Sequence, residues 1–225
     1  MLVRLFPDAR FLAVERDPRA IVSSLLAMAT QYPTQAAHAP SYLRHWRKQV
    51  ALTRRFELDP ALAERFRSIS FERLATEPEI EARRLCDELG IDFKPEMLRL
   101  SADGWKGNSS YNHGGCDIYS DTVDRWRQIL PKPMVQVADF LCGPEMALTP
   151  YHPVGEVKLD IVLAYLIEAG LKPGSWRSDR GDPLADFGGE LVRHALLETR
   201  EVRVEDLAER CFLFADTLGA IRQAR

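Results

Sequence analysis

The sequence predicts an α/β fold: a parallel sheet with crossover helices, followed by a helical C-terminal extension. Three observations carry this reading. "FLAVE" (Phe11–Glu15) is a short apolar run closed by charge, which suits a buried parallel strand. A helical stretch follows it at once, and the same strand-then-helix order recurs around 65–90, as in parallel α/β sheets. Beyond residue 156 only helical patterns are left, so 1–155 reads as one α/β domain and 156–225 as its extension.

The elements follow in order. After the first strand, Asp17 suits an N-cap and Pro18 the first helical position. The helix should run through "PRAIVSSLLAMA" to about Ala29. "QYPTQAAHAP" reads as a loop. From Tyr42, "YLRHWRKQVALTRRFEL" spaces its apolar residues helically and turns a basic face the other way. A second short strand is expected at Arg67–Phe71. "EPEIEARRLCDELG" then predicts a helix with an acidic start, apolar Ile80, Leu85 and Leu89, and a terminal Gly90. "SADGWKGNSSYNHGGCDIYS" is rich in Gly, Ser and Asn and should be a long surface loop, a common location for function. Helices are expected at Thr122–Leu130 and Pro133–Leu141, then near 157–169, 184–199 and 205–221.

Composition narrows the function classes. The 225 residues carry a formal net charge of −3, so no polycation suggests a nucleic-acid partner. The acidic excess lies in 156–225, so an anion site in the first domain must come from local clustering. Apolar runs are too short to span a bilayer, which excludes a membrane partner. The opening stretch is broken by Arg4, Pro7, Asp8 and Arg10 and does not read as a signal peptide. Cys86, Cys116, Cys142 and Cys211 are far apart and form no CxxC pair, which fits a reducing, cytoplasmic setting. His113 and Cys116 lack two further ligands at sensible spacing, so no metal is predicted.

The candidate site lies at the end of the first strand. Phe11–Glu15 delivers Arg16 to the carboxyl edge of the sheet, where open α/β sheets bind ligands. The helix that begins at Asp17-Pro18 offers N–H groups and a positive dipole end to an anion. Ser24 follows two turns in, with Ser23 beside it. An arginine fork and a hydroxyl together suit a phosphate. The residues equally fit a plainer arrangement, in which Arg16 and Asp17 cap the turn and both serines fill helix positions. Arg19 reads as a solvated helix residue, and Trp105 and Trp126 as packing residues. His45, His113 and His152 receive no role.

The segment "FPDARFLAVERDPRAIVSSLL" resembles the 3′-phosphate-binding segment of sulfotransferases that use 3′-phosphoadenylyl sulfate (PAPS). "SISFERLATEPEIEARRLCDELGI" is similar to that family's next strand and helix, with Phe71 where many members have tyrosine. "WKGNSSYNHGGCDIYSDTVDRWRQIL" resembles the late nucleotide-binding loop of the bacterial and tyrosylprotein-type members. "FLCGPEMALTPYHP" is similar to the segment that closes the family core, with Thr149 and Pro150 in place of a glycine. The resemblance covers about residues 1–153. It implies a sheet of the P-loop NTPase-like sulfotransferase type and a 3′-phosphate held by Arg16 and Ser24. It further implies that Asn108, Ser109 and Ser110 lie near the nucleotide, that Arg125 rather than Arg127 adds a cation, and that PAPS donates a sulfuryl group to a hydroxyl or amine acceptor.

One part of the family pattern is not found in these residues. The loop that holds the donor's 5′ end, typically Arg-Ser-Gly-Thr, has no counterpart, and no glycine precedes Gly90. The family's catalytic base comes from the same early region, so no catalytic residue is assigned. The expected fold is therefore a truncated sulfotransferase sheet. A fragment of a longer enzyme, an inactive binding protein, and a chain completed by a partner all fit this pattern. A partner chain or second copy would be expected at the exposed sheet edge or on the C-terminal helices.

Overall fold

Strand β1 (Phe11–Glu15) pairs in parallel with β2 (Phe66–Ser70), in register from Phe11↔Phe66 to Glu15↔Ser70. The computed structural model describes residues 5–31, 39–99, 120–168, 183–199, 209 and 211–225. Those residues form two compact units, one from 1–35 with 55–129 and one from 36–54 with 130–225. The long helix Ala39–Leu58 contributes to both, so the units are not simply the stretches before and after 155.

In the first unit, α1 (Pro18–Gln31) follows β1, while α3 (Phe71–Thr76) and α4 (Pro78–Leu89) follow β2. This is the alternation the sequence predicts. The second strand ends one residue earlier than expected. Ser70 terminates it by capping α3, its Oγ accepting the Arg73 N–H at 3.2 Å. Phe56, on the last turn of α2 (Ala39–Leu58), meets Phe66 edge-on at 5.4 Å, which anchors β2.

The strand expected to be buried on both faces is not. Leu12 and Val14 are 44% and 48% exposed, while Phe11, Ala13 and Glu15 on the other face of the pleat are half-buried. The Leu12–Val14 face stays about half exposed, so this mostly apolar strand shows an alternating burial pattern.

Helix α4 ends as predicted. Gly90 takes the left-handed conformation, φ 67°, and the N–H of Ile91 closes on the Cys86 carbonyl at 2.9 Å. A Cβ at Gly90 would meet nothing within 4 Å, so Gly90→Ala should carry the backbone penalty alone. The expected loss in urea denaturation is about 1 kcal/mol. A loss near zero would show that this turn adopts another conformation. Glu81, 1% exposed, ties α4 to α3 by pairing with Arg73 and, at 2.8 Å, with Arg84.

The second unit is helical. Leu43, Trp46 and Val50 of α2 are buried, as are Met134, Val137, Leu141 and Met146 of α6 (Lys132–Met146). The short helix Trp126–Ile129 before it, α5, belongs to the first unit. The helix expected to end at Leu141 runs on through Gly143 and Pro144 to Met146. Pro144 has no N–H to give the Phe140 carbonyl four residues back. That carbonyl instead faces Nε2 of His194 at 2.9 Å, so a side chain supplies the donor the helix lacks. Thr149 stands where the resemblance leads one to expect glycine. Its Oγ1 donates to the Met146 carbonyl and accepts the Tyr151 N–H, so the turn is closed by a hydroxyl.

The C-terminal helices are α7 (Leu159–Glu168), α8 (Pro183–Glu198) and α9 (Ala215–Ala224). Leu196, Leu197, Phe212, Leu218 and Ile221 form one buried cluster that joins α8 to α9. Among the described residues no helix is long and apolar enough to cross a membrane.

Candidate functional site

The turn from β1 into α1 is fixed by charge. The Asp17 Oδ1 accepts the Arg19 N–H at 2.8 Å, an N-cap bond of the kind the sequence predicts. The same carboxylate then takes the Arg19 side chain in a fork, Nε at 2.9 Å and Nη2 at 2.8 Å. Arg19 is 2% exposed, and its guanidinium lies 4.3 Å from the Trp126 ring centre. The solvated position expected for Arg19 is thus wrong: an adjacent carboxylate and an indole face together compensate its burial. Trp126, 3% exposed, is a packing residue as expected.

Glu72 ties this turn to the next one. Its Oε1 accepts the Asp17 N–H at 2.9 Å, and its Oε2 accepts the Ser70 hydroxyl at 3.0 Å. One glutamate therefore joins the ends of both strands. The consequence for anion binding is direct. Two carboxylates, Asp17 and Glu72, stand at the start of α1 and take the Arg19 and Asp17 N–H groups. Their charge opposes an anion at this helix terminus, so an anion site here depends on side-chain cations.

Arg16 is the side chain the strand delivers. It is half-buried, its Nη2 donates to the Thr122 carbonyl at 3.3 Å, and its guanidinium lies 4.0 Å from the centre of the Phe71 ring. Three segments thus converge on one cation: the end of β1, the start of α3 and the 3-10 turn Ser120–Thr122. A guanidinium held flat on a ring keeps its planar donor fork in a fixed orientation. The turn that grips it leads, three residues on, to Arg125, also half-buried. Arg127 is exposed and paired with Asp124 at 2.9 Å, a surface pair.

The serines differ in environment. Ser24 is half-buried on the second turn of α1, whereas Ser23 is 3% exposed. The Ser23 Oγ has no hydrogen-bond partner among the described residues. Asn108, Ser109 and Ser110, with Trp105, His113 and Cys116, lie outside the described residues.

The residues that hold Arg16, Phe71 and Thr122, were not singled out as its supports. A signal for the first was present, because Ser70 before Phe71 and an acidic residue in the next turn is a helix start. No local pattern links Thr122 to Arg16, since that contact spans 106 positions of sequence.

Residues 1–95 match the model of the Sulfotransferase family. Human carbohydrate sulfotransferase 3 is 28% identical over 165 residues, covering 64% of this chain and 34% of that protein. The rat protein of the same name is 26% identical over 161 residues, covering 63% and 33%. A solved sulfotransferase domain from the curacin biosynthetic pathway aligns at 23% identity with a TM-score of 0.44, covering 59% of this chain and 52% of that one. The chain thus spans about a third of the length of the curated relatives it matches.

Proposed function

We propose, from the sulfotransferase family that the matched residues 1–95 and the curated relatives support for this chain, that it serves sulfuryl transfer from PAPS to a hydroxyl or amine acceptor. In this reaction a bond forms between the acceptor oxygen or nitrogen and sulfur. The bond from sulfur to the donor's phosphate oxygen breaks, and adenosine 3′,5′-bisphosphate leaves with that electron pair. The acceptor's proton passes to a base that the described residues do not identify.

The single observation that carries this reading is Arg16, half-buried at the carboxyl end of β1 and held by Phe71 and Thr122. Its role is to bind and orient the 3′-phosphate, the end of the donor where no bond breaks. Positioning of this kind lowers the barrier by fixing the donor relative to the acceptor. Ser24 adds a hydroxyl and Arg125 a second cation; the family resemblance adds Asn108, Ser109 and Ser110, which lie outside the described residues. No metal takes part in the proposal. Cys86 and Cys142 are buried free thiols, which supports a cytoplasmic setting.

Titration of adenosine 3′,5′-bisphosphate into the purified chain, followed by calorimetry, tests the site. Saturable binding is expected, and Arg16→Ala should weaken it at least about tenfold, the loss of one charge-assisted contact. Indistinguishable titrations of Arg16→Ala and wild type would overturn the site.

A further inference from the structure

The second unit contains a cavity of about 630 Å³ that the sulfuryl-transfer reading does not use. This volume lies within the range of sites for small molecules. Its wall is mostly apolar, with Phe140, Leu191 and Leu197 among the lining residues. Four side chains bring charge or hydrogen-bonding capacity to it: Asp139, His152, His194 and Arg225. Arg225 at the rim is paired with Glu198 at 2.9 Å. Asp139 is 4% exposed and accepts the Val154 N–H at 2.9 Å, so its charge disfavours an anionic ligand.

His194 determines what the cavity selects. Its ring stacks on Phe140, with centres 4.4 Å apart and planes within 8°. Nε2 faces the Phe140 carbonyl, which Pro144 leaves without a helical donor, so Nε2 carries the proton. In the neutral ring the lone pair is then on Nδ1, and no described residue donates to it. Burial lowers the imidazole's affinity for a second proton, which keeps the ring neutral at pH 7. A fixed acceptor in an apolar wall favours a ligand with one donor on an apolar body.

We propose that this cavity is a binding site for a small uncharged apolar molecule with one hydroxyl, which donates its hydrogen bond to Nδ1 of His194. The proposal is independent of the nucleotide site.

Paired titrations of the full chain with 4-ethylphenol and ethylbenzene, followed by chemical shifts of backbone amides and the His194 ring, test it. Saturable binding of 4-ethylphenol is expected, about tenfold tighter than ethylbenzene. His194→Phe keeps a ring against Phe140 but removes the acceptor, and should bind both probes alike. Gly143→Leu should weaken both about tenfold or more, because Gly143 lines the cavity. A Cβ there meets only Pro153 at 3.7 Å, an ordinary contact, so the variant fills space without forcing the backbone. Absence of saturable binding, equal affinity of the two probes for wild type, or Gly143→Leu binding like wild type would each overturn the proposal. Should His194→Phe fail to fold, the two probes on wild type and on Gly143→Leu decide the matter.

Discussion

Glu190→Gln is expected to destabilise the protein by about 3–5 kcal/mol, the loss seen when one member of a buried charge network is removed. Glu190 is 5% exposed and accepts Arg47 through Nη1 at 2.6 Å and Nη2 at 3.1 Å, with Arg44 Nε at 3.2 Å. Arg193, 2% exposed, lies nearby and pairs with Glu145. Without Glu190, the Arg47 and Arg193 guanidinium groups repel each other with a single buried carboxylate to balance them. The amide retains the carboxylate's shape, so the loss reports charge rather than packing.

The same residue gives a pH signature. Burial alone would raise the Glu190 carboxyl, but the Arg47 guanidinium overrides it and holds the group at about 2. The folded value lies below the ordinary 4.5, so the stabilisation is complete above about pH 4.5 and is lost as pH falls towards 2. Its size is on the order of 3 kcal/mol. Urea denaturation of wild type and Glu190→Gln should therefore differ most near neutrality and converge near pH 2. A difference below about 1 kcal/mol at pH 7 would show that the pair behaves like a surface contact.

Arg19→Ala is expected to cost about 3 kcal/mol or more, because it strands the buried Asp17 carboxylate and uncovers Trp126. Replacing both partners, Asp17→Asn with Arg19→Met, should recover most of the loss. No bare charge then remains, and the methionine chain still covers the indole. Urea denaturation of the single and double variants checks this. Equal losses would mean that the stability comes from side-chain packing and not from the ion pair.

These two arginines show where sequence reading succeeds and where it stops. Asp17 as a cap and Pro18 at the first helical position follow from local chemistry, and the structure has both. Whether Arg19 faces water or the interior depends on Trp126, more than a hundred residues later, and no period in "PRAIVSS" encodes that. Arg16 poses the same problem. Its place at the strand end is legible from "FLAVE", while its orientation is set by Phe71 and Thr122. The anion seat expected at the start of α1 is a local inference that could not foresee Glu72, which reaches the Asp17 N–H from the second strand–helix turn.

The helical half differs in kind. The helix expected over Pro133–Leu141 continues past Pro144, and no local signal shows that His194 will supply the donor proline removes. Nothing local to the 184–199 stretch singles out Glu190. Only the packing of α8 in its own unit makes it a buried counter-ion to Arg44 and Arg47.

Local chemistry along the chain encodes the strand-then-helix alternation, the Asp17 cap, the Gly90 helix end and the arginine at the mouth of β1. These depend on periodicity and on interactions within a few residues. Tertiary structure decided which charges are buried, which carbonyl receives which donor, and where an apolar cavity with a free imidazole nitrogen is left. Those outcomes depend on contacts between residues about 50 to 150 positions apart, where chain proximity carries no information.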